Sequence, residues 1–320
     1  MDFKKLTKIL LALLSAALIV VGLFSAFAPK KVAAKQKDDT VRIGKMVNHP
    51  SIQLDKLIEY YLEECNVNKD KIAILIHSFE TGEEYILNPN VDFTAASTYK
   101  LPLGVKYYEM INDGEISLSD QLTVQSNHYE EGGPTYYAEV GSAISVETLL
   151  HRMIQISDNT ASHVLFENLG GWVEYKKKIA KYSNHDLNDS FFVKGNVQTV
   201  QYLSDCLDYV YHHKDSFKTL IKDMKSANPT SYLNKYTGNV TAQKYGYYNS
   251  ARNSAGIVLD GHPYSIVVLT SLYDQGEVHM GKINKICHDY FNTEKKWDID
   301  KGIVDRIKWW ANAHHFFMYS

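Results

Sequence analysis

The stretch "FTAASTYKLPLG", residues 93–104, sets a serine and a lysine three residues apart at the head of an apolar run. Chance alone supplies about two Ser-x-x-Lys in a chain of this composition, so the pair gains meaning only from its surroundings. On a helix, positions i and i+3 share a face, which puts Lys100 within reach of Ser97. A serine hydroxyl is a poor nucleophile until a base takes its proton, and a lysine can act as that base only while neutral. The pair therefore demands a dry, partly cationic pocket around Lys100 and a second basic residue nearby. A helix start near Ser97 adds free N–H groups suited to an oxyanion.

Working outward, "STYKLPLGVKYYEMIND" reads as a helix ending near Asp113-Gly114, with its proline in the first turns, where proline is best tolerated. Upstream, "KIAILIHSFETGEEYILNPN" (residues 71–90) is two β-rich runs around Thr81-Gly82, a hairpin signal. Before it, Leu54, Leu57, Ile58, Tyr61 and Leu62 repeat at helical spacing. Downstream, "NHYEEGGPTYYAEVGSA" is a loop by its glycines and proline. Val146, Leu149, Leu150, Met153 and Ile154 then mark a helix that runs into "SDNTASH". The pattern stays helical to about residue 225, with one break at "NHDLNDSFFVKGN". After Asn228-Pro229, "VTAQKYGYY", "SARNSAGIVLD" and "YSIVVLTSLY" read as three strands, the last two joined at Asp260-Gly261, and "GKINKICHDYFN" as a closing helix. The expected fold class is α+β: one antiparallel five-stranded sheet flanked by helices, with an all-helical subdomain inserted at about residues 95–230.

With 45% hydrophobic residues over 320 positions, the chain is globular. Residues 1–37 hold seven lysines against one aspartate, so the net charge of -3 conceals -9 on residues 38–320. That balance argues against a nucleic-acid partner, and no Gly-Lys-Ser or Gly-Lys-Thr loop offers a phosphate cradle. Cys65, Cys206 and Cys287 are an odd, widely spaced set that reads as buried free thiols. Thirteen histidines include no His-Glu-x-x-His, and no metal or other cofactor is expected.

Lys4, Lys5 and Lys8 precede an uncharged segment at residues 9–28, closed by Pro29, Lys30 and Lys31. Twenty residues of helix rise about 30 Å, enough to cross a bilayer, whereas a signal peptide needs an apolar region of roughly 7–15. The length favours an uncleaved anchor over a cleaved signal, for which Val32-Ala33-Ala34 would be the site. Either way the body lies outside the cytoplasm, at the cell membrane or secreted. The expected division is residues 1–37 as anchor or signal peptide plus linker, 38–294 as the catalytic domain, and 295–320 as an aromatic-rich tail. That tail packs on the body or serves as a membrane-surface or partner-binding helix. A monomer is expected.

Two further pieces follow Ser97 and Lys100 in order. Ser157-Asp158-Asn159, between two helices, offers a hydroxyl that can relay a proton and an amide that can hold a carbonyl. Lys244-Tyr245-Gly246 begins a strand, where the ammonium supplies the second charge and the glycine lets a substrate lie close. Ser-x-x-Lys, Ser-Asp-Asn and Lys-x-Gly in this order resemble the serine β-lactamase and penicillin-binding protein superfamily. "FTAASTYKLP", "MIQISDNTASHVLFENLGG" and "QKYGYYNSARNSAGIVL" are each similar to class A β-lactamase segments, so the resemblance spans about residues 45–292.

The resemblance implies a β-lactamase/transpeptidase-like fold and a serine hydrolase that forms an acyl-enzyme. It makes Ser97 the nucleophile, Lys100 its base, Ser157 the proton relay, Asn159 a substrate-amide contact and Lys244 the support for a substrate carboxylate. The N–H groups of Ser97 and Tyr247 would form the oxyanion hole, and Arg252 resembles an arginine that helps bind a carboxylate. The implied partner is a β-lactam, a peptidoglycan-type D-Ala peptide or an ester. Two departures stand out. The family's Glu-Pro-x-Leu-Asn-like loop, which activates the deacylating water, is absent, and Asp186 and Asp189 are the aspartates left to replace it. Tyr245 stands where the family has Thr or Ser. Slow deacylation follows from the first, weaker recognition of a penicillin carboxylate from the second.

Overall fold

A computed structural model describes residues 53–193, 195–292 and 305–310. The apolar segment at residues 9–28 and its flanking lysines lie outside them, and no described helix is long and apolar enough to cross a membrane.

Helix α1 (Leu54–Glu64) buries Leu54, Leu57, Ile58, Tyr61 and Leu62, the stripe its spacing predicts. Strands β1 (Ile72–Ser78) and β2 (Glu84–Leu87) form the expected hairpin. Its turn holds Gly82 at φ +69°, a conformation that favours glycine. After the helical insert come β7 (Thr241–Tyr248), β8 (Ala251–Val258) and β9 (Tyr264–Thr270). The sheet order is β2-β1-β9-β8-β7, antiparallel throughout. Strands β1 and β9 are almost continuously apolar because both of their faces are covered. The closing helix α9 (Asp274–Asn292) packs with α1 on one face, and α7 (Val200–His212) lies on the other.

Between β2 and β7 lie α2 (Lys100–Asn112), α3 (Val146–Gln155), α4 (Asn159–Asn168), α5 (Gly171–Ile179), α6 (Asp189–Val193), α7 and α8 (Lys218–Ser226). The insert is not purely helical. Strand β4 (Gln121–Thr123) pairs with β5 (Ala143–Ser145), and β3 (Phe93–Thr94) pairs with β6 (Val197–Gln198). Such short strands leave no readable alternation. The β3–β6 pair matters, because with Ala95 N–H donating to Asn196 O at 3.0 Å it draws the loop at residues 195–197 beside the Ser-x-x-Lys turn.

Within the tail, residues 305–310 are helical and bury Ile307 and Trp310. Trp310 meets Tyr61 of α1 edge to face at 6.1 Å, and the Lys282 ammonium sits 5.3 Å above its ring. Cys65, Cys206 and Cys287 are buried free thiols, with burial pushing the last two well above the usual thiol range.

Candidate active site

Three elements converge on one point. The first is a tight 3₁₀ turn, Ala96–Tyr99, that opens α2. Ala96 sits at φ 49°, a left-handed conformation that costs a non-glycine residue on the order of 1 kcal/mol. Neighbouring bonds hold it there. Asn253 Nδ2 on β8 donates to Thr94 O (2.7 Å) and Ala95 O (3.0 Å), and Thr98 Oγ1 donates to Ala95 O (2.7 Å). Ser97 is thus presented by a strained turn tied to the sheet.

The second element is the α3–α4 junction. Ser157 is left-handed at φ 60°, and Asp158 caps α4, its Oδ1 accepting from Ala161 N–H at 2.8 Å. The other carboxylate oxygen accepts from Thr135 N–H at 2.8 Å, so one buried side chain fixes both the helix start and the Gly-Gly-Pro loop. Gly133 shows how close that contact is, since a Cβ there would lie 2.3 Å from Asp158 Cγ. Replacing this charge-assisted pair of bonds in Asp158→Ala is expected to destabilise the fold by about 2–3 kcal/mol. A thermal melt lowered by about 5 °C or more would carry that result, and an unchanged melt would refute it.

The third element is β7, an edge strand of the sheet. Lys244 and Gly246 share a face, two residues apart. Gly246 lies so near the turn that a Cβ on it would sit 2.4 Å from Ser97 N and 3.0 Å from Ser97 Cα.

Polar contacts join the three. Lys100 Nζ donates to Ser157 O at 2.7 Å and Asn159 Oδ1 at 2.6 Å, and lies 3.3 Å from Ser157 Oγ. Lys244 Nζ donates to the same Ser157 hydroxyl at 3.1 Å and to Tyr245 O at 2.8 Å. All three partners of Lys100 Nζ are oxygens that accept from it, and no hydrogen bond among the described residues joins that amine to the Ser97 hydroxyl. Both lysines are fully buried. Burial brings Lys100 down to about 7, against the pull of the Glu130 and Asp158 carboxylates. Burial, and then the neighbouring Lys100, hold Lys244 well below the ordinary lysine range.

A cleft of about 300 Å³ opens over Ser97. Asn159 and Tyr247 line it as well. So do Tyr99, Glu130, His163, Phe166, Trp172 and Asn196, which sequence reasoning passed over. His163 and Phe166 stand four and seven residues beyond Asn159 on α4, and that helical period was the available signal. Glu130 and Asn196 arrive on loops and gave none. Lys100, Ser157, Lys244, Gly246 and Arg252 are not among the lining residues, the two lysines lying buried behind the cleft; the Arg252 guanidinium donates to Asp274 Oδ1 at 2.7 Å and lies 5.5 Å over the Tyr247 ring. Tyr245 faces Tyr232, ring centroids 4.9 Å apart, and does not line the cleft. Asp186 and Asp189 are exposed and do not line it either.

Residues 53–291 match the model of the beta-lactamase enzyme family. Over 97 residues the chain is 33% identical to the beta-lactamase regulatory protein BlaB of Streptomyces cacaoi, covering 30% of this chain and 31% of that protein. Over 171 residues it is 25% identical to a beta-lactamase of Bacillus amyloliquefaciens, covering 51% and 50%. The chain thus spans half or less of the length of these curated relatives. Among solved structures, a PBP-A mutant in an acyl-enzyme complex with penicillin G superposes with a TM-score of 0.66 at 20% identity, over 76% of this chain and 98% of that one. A beta-lactamase from Sphaerobacter thermophilus gives 0.64 at 19%, over 75% and 98%. The fold is that of the β-lactamases and transpeptidases.

Proposed function

Because the chain belongs to the beta-lactamase enzyme family, we propose that it is an extracytoplasmic serine hydrolase that forms an acyl-enzyme on Ser97 with β-lactam, D-Ala-peptide or ester substrates. The observation that carries this reading is the buried Lys100–Ser157–Lys244 line beside the Ser97 turn. Ser97 Oγ attacks the substrate carbonyl as Lys100 takes its proton. The N–H groups of Ser97 and Tyr247 receive the oxyanion, Ser157 passes a proton to the leaving group, and Asn159 holds the substrate amide. Lys244 meets the substrate carboxylate. Release of the acyl group is slow enough for the adduct to accumulate, because the family's loop glutamate is missing and neither Asp186 nor Asp189 lines the cleft. Residues 9–28 hold the protein at the membrane as a monomer with its body outside, and it needs no cofactor and no nucleic acid.

Intact mass spectrometry after mixing with benzylpenicillin tests the reading, and a protein that neither gains mass nor consumes the penicillin would defeat it. The same measurement has an expected pH dependence. Lys100 must be neutral to accept the Ser97 proton, so acylation at saturating benzylpenicillin rises through about pH 7. Below that it falls about tenfold per pH unit. A rate constant flat across that range would remove Lys100 from the role of base.

A second reading, a catalytically silent cell-wall-binding module, draws support from the regulatory name of one relative. Under it, Ser97→Ala leaves the cellular role intact.

A further inference from the structure

Release of the acyl group needs a base that can take a proton from water, and the loop glutamate that serves the family is absent. The cleft wall opposite β7 carries another arrangement. His163 stands on α4 one turn beyond Asn159, and both line the cleft over Ser97. Its Nε2 lies 2.7 Å from Glu130 Oε2. Glu130 is itself anchored, since its N–H donates to Thr160 Oγ1 at 3.1 Å and Thr160 Oγ1 donates to its carbonyl at 2.9 Å. Asn159 Nδ2 donates to Glu131 O at 2.6 Å, which seats the rest of the loop. The Phe166 ring, 4.9 Å away, flanks the imidazole.

A carboxylate on Nε2–H selects the tautomer with a lone pair on Nδ1, and no protein group among the described residues bonds to that nitrogen. Here the reading rests on the acyl-enzyme proposed above. We propose that His163, oriented by Glu130, is the general base that hydrolyses the Ser97 acyl-enzyme.

Nδ1 of His163 takes a proton from water as the water oxygen bonds to the ester carbonyl carbon, and Glu130 stabilises the imidazolium that forms. The tetrahedral intermediate collapses by breaking the bond to Ser97 Oγ, and that oxygen receives the proton, which regenerates the serine and releases a carboxylic acid. Burial holds His163 below the usual histidine range, and Lys100 adds to that while Glu130 and Glu167 oppose it. His128 lies near enough to feel the imidazole in turn, held low first by burial and further by His163. His163 is therefore neutral at pH 7, the state a base requires.

The test uses the full-length protein in detergent. It is acylated with benzylpenicillin, freed of excess by desalting and followed by intact mass spectrometry, in parallel with His163→Ala and Glu130→Gln. His163→Ala is expected to lengthen the adduct lifetime by at least about 10²-fold while slowing adduct formation far less, and added imidazole should shorten the lifetime again. Glu130→Gln should give a smaller lengthening and move the pH at which the parent's adduct decay falls off. A His163→Ala adduct that decays within about threefold of the parent overturns the assignment and leaves the acyl-enzyme standing. A parent that forms no Ser97-dependent adduct overturns both.

Discussion

Ser97→Ala is expected to remain at its unmodified mass in benzylpenicillin while the parent gains a single acyl group, a loss of at least about 10³-fold in acylation rate. The size follows from what remains. The oxyanion N–H groups, Lys100 and Lys244 stay in place, but no atom is left to bond the substrate carbonyl. Folding should be unaffected, since no hydrogen bond among the described residues depends on the Ser97 hydroxyl, and removing it is expected to shift stability by less than about 1 kcal/mol. Loss of the adduct with an unchanged melting temperature is the supporting result. An adduct that persists in Ser97→Ala would assign the nucleophile elsewhere.

Gly246→Ala should disable the site without touching a reactive group. The added Cβ would lie 2.4 Å from Ser97 N and 3.0 Å from both Ser97 Cα and Thr98 N, all backbone atoms that cannot swing aside. Nor can the turn retreat, because the Asn253 amide ties its residues 94 and 95 to β8, the strand paired with β7. To reach ordinary contact, strand and turn must separate by about 1 Å, and overpacking of this kind costs about 1–3 kcal/mol. The same shift moves the N–H of Ser97 away from that of Tyr247. A displacement near 1 Å costs about 10²-fold in rate, so acylation should fall by about that factor. The melting temperature should drop by about 4–8 °C. Gly82→Ala is the comparison, for a Cβ there meets nothing within 4 Å and only the φ +69° strain remains. Equal rates in the two variants would mean that the contact at Gly246 does not govern the chemistry.

Much of this architecture is readable in the sequence. The β-rich runs at residues 72–78 and 241–270 gave the sheet, and the 3.6-residue stripes of α1 and α3 gave two of the helices that flank it. Ser97, Lys100, Ser157 and Lys244 were legible because each motif carries its chemistry within three residues of chain. The far wall of the cleft was not. Glu130 and Asn196 reach it on loops, and Asn196 is drawn in by a β3–β6 pairing of two residues on each strand across about 100 positions of sequence. Arg252 is a different case. Its motif suggested a carboxylate contact, whereas its guanidinium is held by Asp274 and two carbonyls at the sheet's end.

The shared Ser157 hydroxyl also sets a rule of charge balance. Two buried amines converge on one oxygen, and each makes the other harder to protonate. An anion docking at Lys244 would relieve that tension, so it enters with a proton drawn from the buffer, and its affinity strengthens in acid. Lys100 asks for the reverse, because it works only when unprotonated. The two demands oppose each other, so a single relay hydroxyl sets the binding of anionic substrates against proton transfer as acidity changes.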